Sequence, residues 1–403
     1  MAKEFVRLCG EVGNFSERIT GVSIVDAYFG PEDLDPKRQN ENKDAEVLIH
    51  DLDEFIDTLG EIDEPIRRKY LQAEAESMKM TVKWLAGLET NYSNIVRTMF
   101  NIEPKKFSKG IIDAQLSEVE AALEPFPGVD LAEKASLFTK EGEVRGKALR
   151  DFIDNELQSK SSDVGQLFKE RIYSLIGRDV TDNGVKYNCV TDKPWSGYNY
   201  FQGNYTSVNE FNVDRPMNTD SALAVVYHEY EHHVSNLWRE RAYHEEGFVE
   251  LSIVPLHTGR CVISEGTADT ARDFLGVKDS SDKVKAYDAL YKLRRMISIN
   301  SAIMLNLEKK SIDETVQYNV ERGLRSEGAA RSGLAFISPE TRDGKVNIWS
   351  PYVFTYYIGR TDFVYPIFSK AKEQGELDKF YQTLYLNPFS GSSATWKESF
   401  SWL

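Results

Sequence analysis

The stretch from Ala224 to Val234, AVVYHEYEHHV, constrains the fold more than any other part of the chain. It contains the array His228-Glu229-Tyr230-Glu231-His232 inside a segment whose apolar spacing predicts a helix. Side chains four positions apart lie on the same face of a helix. His228 and His232 can therefore direct two imidazoles at one point, as a tetrahedral metal ion such as Zn²⁺ requires. The fold must then bury this helix and bring a third ligand to it.

Two neighbours of the histidine pair point in other directions. Glu229 lies about 100° around the helix from His228, so we predict that it acts as a general base toward a water activated by the metal and is not a ligand. The side chain of His233 is turned about 100° from that of His232. We predict that His233 is not a ligand and either supports the ligands from a second layer or faces solvent.

A third ligand is predicted further along the chain. Glu265 follows His232 by 33 residues and begins the segment Glu265-Gly-Thr-Ala-Asp269. A catalytic zinc site has three protein ligands and an open position, and glutamate is a suitable third ligand. Asp269 lies one helical turn beyond Glu265, and metal-bound histidines donate their other ring N–H to such acceptors. We predict that Asp269 binds the ring of His228 or His232.

The remaining pattern predicts a mainly α fold with a small β-sheet. We expect an N-terminal, mostly helical subdomain over residues 1–180, a catalytic subdomain over residues 181–403, and a cleft between helical subdomains. Aromatic and β-branched runs broken by glycine predict short strands between Gly184 and Met217. The predicted helices are 47–59, 66–85, 92–100, 116–123, 131–157, 164–175, 219–238, 258–276, 282–308, 312–324, 352–373 with a kink at Pro366, and 377–386.

Composition excludes several classes of protein. The chain has 49 basic and 64 acidic residues, a net charge of −15, which argues against a nucleic-acid or anionic-membrane partner. No apolar run approaches the roughly 20 residues of a membrane span, and the N-terminus has no apolar signal core. Cys9, Cys189 and Cys261 lack metal-site spacing and fit a reducing compartment. We therefore predict a cytoplasmic protein.

The histidine array and the spaced glutamate together resemble the gluzincin zinc metallopeptidases. The long gap is similar to their mostly helical branch, which includes thimet-type oligopeptidases, angiotensin-converting-enzyme-like peptidases and Taq-type carboxypeptidases. It also looks like a related uncharacterised group of zinc peptidases. The doubled His232-His233, the segment 264–268 (SEGTA) and the segment 355–360 (TYYIGR) carry this likeness, which extends from about Asn204 to Phe389.

The resemblance implies a zincin-type helical metallopeptidase with one Zn²⁺ ion and a hydrogen-bond donor for the oxyanion. Tyr356 matches that donor best and Tyr357 is the second candidate, whereas His257 and Arg260 are weaker candidates. The resemblance also implies that the strand from Tyr205 to Asn212 is an edge strand that pairs with an extended substrate, which would place Tyr205 and Asn209 in the binding site.

Arginines are candidates for binding a substrate carboxylate, because the guanidinium fork matches a carboxylate in two hydrogen bonds. Arg360 lies in the segment that carries the resemblance, and we include it among the predicted substrate-binding residues. Arg294, Arg325 and Arg331 are further candidates. The sequence does not favour one of the four.

We predict a zinc-dependent peptidase that hydrolyses short peptides. Two alternatives stay open: a metal-containing protein that binds peptides without cutting them, and a zinc hydrolase of a non-peptide amide. The sequence does not distinguish an aminopeptidase, a carboxypeptidase and an oligopeptidase, and it does not indicate an oligomeric state. The expected partner is a peptide, with no nucleic acid and no membrane.

Overall fold

A computed structural model describes residues 1–39, 42–193, 195–278 and 280–403. The fold is mainly helical, as predicted. The helices are α1 (Ala2–Thr20), α2 (Ala45–Thr58), α3 (Pro65–Leu85), α4 (Tyr92–Phe100), α5 (Lys109–Leu123), α6 (Leu131–Lys140), α7 (Gly146–Phe152), α8 (Gln158–Phe168), α9 (Ser174–Ile176), α10 (Thr219–Glu246), α11 (Gly259–Ala268), α12 (Ala271–Phe274), α13 (Asp282–Asn306), α14 (Ile312–Gly323), α15 (Glu327–Ile337), α16 (Val353–Ile358), α17 (Tyr365–Gln374), α18 (Leu377–Tyr381) and α19 (Trp396–Ser399).

The strands form three small sheets. They are β1 (Val25–Tyr28), β2 (Glu143–Val144), β3 (Val185–Val190), β4 (Gly197–Gly203), β5 (Thr206–Asn212), β6 (Met217–Asn218) and β7 (Ile253–Pro255). β1 pairs with β7 and β2 pairs with β6, both antiparallel. The third sheet has the order β3-β5-β4, in which β5 is parallel to β3 and antiparallel to β4.

The predicted edge strand is the central strand of this sheet. β5 is hydrogen-bonded on both sides, so the prediction that Tyr205 to Asn212 form an edge strand was wrong. β5 also pairs with β3, in parallel, through a crossover connection. The local sequence of β5 does not reveal such a non-local pairing. In this sheet β3 and β4 are each hydrogen-bonded to β5 along one edge.

Helix α10 carries the histidine array and begins where its cap allows. The Asn218 side chain accepts hydrogen bonds from the amides of Asp220 and Ser221, which satisfies two free N–H groups of the first turn. The helix ends at Gly247, a left-handed residue. It is longer than the predicted segment to Trp238, and its middle is buried on most sides.

Helix α11 carries Glu265 and ends earlier than predicted. It stops at Ala268, and the short α12 follows after Asp269 and Thr270. α11 packs against the π-helical segment Gly359–Val364, which lies between α16 and α17. This segment widens the predicted 352–373 helix just before Pro366, where the proline ring disturbs regular helical bonding.

Three other regions differ from the predicted pattern. α1 was not predicted, and the predicted 131–157 helix is divided by Gly142 and strand β2. No helix was predicted between residues 324 and 352, but this region contains α15. Two glycines inside α1, Gly10 and Gly13, weaken its local helix signal because glycine has a low helix propensity.

A continuous hydrophobic core runs through both predicted subdomains. It contains Phe5 and Leu71 from the N-terminal region together with Trp238 and Phe354 from the rest. A second cluster lies between α5, α6 and α13. The boundary near residue 180 stays a prediction. Among the described residues, no helix combines the length and apolar character needed to cross a bilayer. Cys9, Cys189 and Cys261 are free thiols that form no disulfide bond with one another.

Candidate metal centre

The structure brings His228, His232 and Glu265 together. The two Nε2 atoms of the histidines are 3.2 Å apart. Glu265 Oε2 lies 3.3 Å from Nε2 of His228 and 3.7 Å from Nε2 of His232. Among the described residues, this is the group of three whose donor atoms converge closely enough to hold a metal ion.

These distances fit a zinc ion. Ligands at about 2.0–2.2 Å in a tetrahedral arrangement lie roughly 3.3–3.6 Å from one another. Oε2 of Glu265 is also buried and accepts no hydrogen bond within the described residues. An unsatisfied buried carboxylate oxygen is costly, and a metal ion would satisfy it. The donor set of two imidazoles and one carboxylate is one that zinc accepts.

Each candidate ligand makes a hydrogen-bonding contact through the polar atom that does not face the other two ligands. Nδ1 of His228 is 2.9 Å from Asp269 Oδ1, and Nδ1 of His232 is 3.0 Å from Ser264 Oγ. The hydroxyl of Tyr352 donates to Oε1 of Glu265 at 2.9 Å. These contacts leave both Nε2 atoms and Oε2 free to face one point, which is how outer groups orient metal ligands. The predicted role of Asp269 therefore matches its position behind His228.

Charge in this region is set by burial and by the ligands themselves. Burial raises the pKa of Glu265, but the imidazoles of His228 and His232 outweigh it and hold the pKa well below its usual value. Burial lowers the pKa of His228, yet Asp269 and Glu265 raise it well above its usual value. The carboxylate of Glu265 is therefore ionised, the form that binds metals.

Glu229 lies beside the three candidate ligands, and its carboxylate is not engaged by another side chain of the described residues. Burial raises its pKa, opposed in part by the charges of His228 and His232. Its carboxylate makes no hydrogen bond to any other residue in the described ranges, and the residue keeps 8% of its surface exposed. A carboxylate with a raised pKa and no hydrogen-bond partner is suited to general-base chemistry.

Tyr356 lies against the candidate centre and Tyr357 does not. The Tyr356 ring stacks on that of His228 with centroids 6.5 Å apart, and the Arg295 guanidinium covers it at 4.1 Å. Burial raises the pKa of its hydroxyl well above 10, so that it stays a donor. Tyr357 packs edge-on against Phe107 in the second hydrophobic cluster.

His233 supports the sheet and not the metal ligands. Its Nδ1 lies 2.8 Å from Ser207 Oγ, and its Nε2 lies 3.1 Å from Asp182 Oδ1. The ring is fully buried on the side of α10 that faces β5. The structure corrects its predicted second-layer role, because the helical rotation that turns it away from His232 also places it beyond reach of the ligands.

Two of the predicted substrate-binding residues lie in or beside β5. Tyr205 has a left-handed backbone with φ 55°, and its amide donates to Glu240 at 2.7 Å. The Asn209 side chain is buried and accepts a hydrogen bond from Asn199 across the sheet. The Asn209 side chain is therefore closed to a substrate, whereas the half-buried Tyr205 ring packs beside His244.

Structural partners also hold the two weaker donor candidates, His257 and Arg260, and the predicted substrate-binding residue Arg360. His257 is buried and donates to the Ile348 carbonyl at 2.7 Å, and burial lowers its pKa to about 4. Arg260 is buried beside the Pro255 carbonyl. Arg360 binds the Asp269 carbonyl at 2.6 Å and the Asp273 carboxylate at 2.9 Å. It holds the turn between α11 and α12.

Sequence reasoning missed several residues around the centre. Tyr352 and Ser264 contact the ligands directly, while Tyr291 and Arg295 do so through other groups. The hydroxyl of Tyr291 donates to both oxygens of Asp269 at 3.1 Å. Ser264 immediately precedes Glu265 and belongs to the SEGTA segment that the sequence analysis singled out. The other three come from distant parts of the chain and have no motif of their own.

Comparison with known proteins gives a fold and no activity. No family model matches the chain, and no curated protein does. A solved structure from Colwellia psychrerythraea, described as a "putative lipoprotein", is 11% identical over 90% of this chain and 68% of that chain, with a TM-score of 0.54. A second, a "putative lipoprotein of unknown function" from Shewanella oneidensis, is 12% identical over 89% of this chain and 72% of that chain, with a TM-score of 0.47.

These matches overturn two predictions. The resemblance to gluzincin metallopeptidases was wrong, because no family model or curated protein supports it and the Colwellia structure that shares the fold is described as a putative lipoprotein. A helical pair of histidines with a glutamate is a local pattern that does not by itself define a family. The prediction of a cytoplasmic protein was also wrong, because the Colwellia structure that shares the fold is described as a putative lipoprotein.

Proposed function

We propose that this chain is a zinc-dependent hydrolase that cleaves peptide bonds of short peptides. The observation that carries the proposal is the convergence of three donor atoms 3.2–3.7 Å apart beside the unpaired carboxylate of Glu229. The finer part of the fold prediction, a zincin-type cleft bordered by two ligand helices and a small sheet, belongs to this proposal.

The residues divide the chemistry between them. His228, His232 and Glu265 would hold the ion, which would supply Lewis acidity and lower the pKa of a water molecule. Glu229 accepts the proton of the attacking water at its carboxylate and passes it to the departing amine nitrogen. The Tyr356 hydroxyl, which makes no hydrogen bond to the other described residues, donates to the oxyanion that develops on the scissile carbonyl.

Strand β4 supports a peptide as the substrate. Its Tyr198 hydroxyl binds Asp26, and the charge of Asp26 acts on that of Glu229. Asp26 and this end of β4 therefore lie near Glu229. Among the described residues, no strand is hydrogen-bonded to the second edge of β4, which packs near β1. A strand edge with free main-chain groups can hold an extended peptide through main-chain hydrogen bonds, with broad tolerance of side chains.

A peptide-library digest read by mass spectrometry tests the proposal. We expect the zinc-loaded chain to release fragments and Glu229→Gln to be at least about 100-fold slower while retaining zinc. Glu245→Gln is the matched control, because Glu245 lies on the same helix and pairs with Arg241 at the surface. It should be as active as the unaltered chain.

Two results would contradict the proposal. Intact peptides at stoichiometric zinc would favour a metal-containing peptide-binding protein. Hydrolysis confined to non-peptide amides would favour the second alternative.

A further inference from the structure

The four arginines among which the sequence did not choose differ in whether they form an ion pair in the structure. Arg331 pairs with Asp313 and Glu327, and Arg360 pairs with Asp273. Arg294 and Arg325 have no carboxylate within ion-pair distance among the described residues, and the same holds for Arg295. We call Arg294, Arg295 and Arg325 the arginine cluster. In a chain with 64 acidic residues, three neighbouring arginines without a carboxylate partner are unusual.

Arg294 fixes the position of Arg325. Its guanidinium donates to the carbonyls of Gly323 and Leu324 at 3.4 and 3.1 Å and to the Thr139 hydroxyl at 3.1 Å. Leu324 has a left-handed backbone with φ 52°, so the chain turns sharply between α14 and α15. The guanidinium N–H groups of Arg294 thus donate to neutral acceptors. These hydrogen bonds hold the turn that precedes Arg325 in place.

Arg295 connects the cluster to the candidate metal centre. It donates to the Tyr291 hydroxyl at 2.7 Å, and its guanidinium lies 4.1 Å above the Tyr356 ring. The Tyr291 hydroxyl in turn donates to Asp269, so Arg295 reaches that carboxylate only through Tyr291. Because Tyr356 stacks on His228, only the Tyr356 ring separates Arg295 from this candidate ligand.

The cluster has unused donors. Nε of Arg295 and Nε of Arg325 are buried and have no hydrogen-bond partner in the described part of the chain. Both residues are half-buried, so the rest of each guanidinium stays within reach of solvent. Burial, followed by the charges of Arg294 and Arg295, lowers the pKa of Arg325 to about 10. Like charges in a partly desolvated space favour a bound anion.

We propose that Arg295 and Arg325 bind the C-terminal carboxylate of a short peptide, which gives the enzyme carboxypeptidase polarity. The inference rests on the proposed function and deepens it. A guanidinium fork binds a planar carboxylate in two parallel hydrogen bonds. The carboxylate would lie beyond Tyr356, with the scissile bond beside Glu229. Water then adds across the C–N bond: its hydroxyl joins the carbonyl carbon and its proton joins the amine of the released C-terminal fragment.

Binding to the inactive, zinc-loaded Glu229→Gln protein tests this subsite. Calorimetry would compare one tripeptide as the free acid and as the C-terminal amide. We expect the free acid to bind about 10–100-fold more tightly, the range for a hydrogen-bonded charge. Arg295→Gln and Arg325→Gln should each reduce this preference at least fivefold. Arg331→Gln is the matched control, because Arg331 is already paired at the surface, and it should keep the preference.

The two proposals fail in distinguishable ways. Equal binding of acid and amide would overturn the carboxylate subsite, and so would a preference that survives both arginine substitutions. The acid–amide comparison needs no arginine variant and stands even if one of them folds poorly. A clear acid preference without any cleavage by the unaltered chain would keep the subsite and contradict the hydrolase. Cleavage of the acid and the amide at equal rates would keep the hydrolase and contradict the carboxylate subsite.

Discussion

Asp269 orients the first histidine of the candidate centre. Its Oδ1 lies 2.9 Å from His228 Nδ1, and Tyr291 donates to both of its oxygens. This contact places the proton of His228 on Nδ1 and leaves Nε2 free for a metal ion. The ring would otherwise be free to rotate or to change tautomer.

We predict that Asp269→Ala weakens zinc binding by about 10–100-fold. A competitive titration against a chromophoric chelator measures the change. Asp273→Ala is the matched control, since Asp273 follows in the same region and pairs with Arg360, not with a histidine. Unchanged zinc affinity in Asp269→Ala would contradict the role given to this carboxylate.

Tyr356 and its neighbour Tyr357 form a natural pair for comparison. Only Tyr356 stacks on His228, while Tyr357 packs on Phe107. We predict that Tyr356→Phe lowers kcat about 100–1000-fold, as loss of an oxyanion donor does, with zinc content unchanged. Tyr357→Phe should keep nearly full activity. Steady-state kinetics on one peptide would decide, and equal activity of the two variants would exclude Tyr356 as the donor.

At the scale of elements, helix α11 depends on a close approach to the π-helical segment Gly359–Val364. A Cβ atom on Gly266 would lie 2.5 Å from the backbone of Gly359, and one on Gly359 would lie 2.1 Å from the Val262 carbonyl oxygen. Neither distance leaves room for a side chain. The contact sets the position of the residue next to Gly266, which is the candidate ligand Glu265.

We predict that Gly266→Ala lowers the free energy of unfolding by about 1–3 kcal/mol, the usual range for overpacking, and also weakens zinc binding. Gly110→Ala is the matched control: Gly110 lies in α5 with nothing near its Cβ position, so alanine should be neutral or slightly stabilising. Chemical denaturation measures both. A Gly266→Ala protein as stable as Gly110→Ala would show that the helices can separate without loss.

The sequence predicted those parts of the site that depend on local geometry. The spacing of His228 and His232 needs only a helix, and α10 is that helix. The position of Asp269 relative to Glu265 follows from one helical turn. Tyr352 and Arg295 could not be predicted, because helices far apart in sequence bring them to the ligands. The central position of β5 was hidden for the same reason: its partner β3 precedes it by a crossover.

At the scale of the whole molecule, His257 joins distant parts of the core. Its ring packs against Trp84 of α3 and Phe100 of α4, and it donates to the carbonyl of Ile348. Burial lowers its pKa to about 4. The imidazole is therefore neutral in the folded chain at pH 7, and protonation opposes folding.

The sign of the pH dependence follows from this shift. The folded-state pKa of His257 lies below the unfolded value of about 6.5, so its contribution is complete above that pH and is lost as the pH falls toward 4. We predict that the unaltered chain loses about 3 kcal/mol of its stability advantage over His257→Gln between pH 7 and pH 4. Urea unfolding at several pH values measures it. His50→Gln, at an exposed histidine, is the control.

The central claim is that His228, His232 and Glu265 hold one zinc ion. An anomalous difference map at the zinc absorption edge, from crystals grown with one equivalent of zinc, tests it directly. The account predicts a single strong peak about 2.0–2.2 Å from both histidine Nε2 atoms and a Glu265 oxygen. A map with no peak between these three side chains, or with its peak elsewhere on the chain, would contradict it.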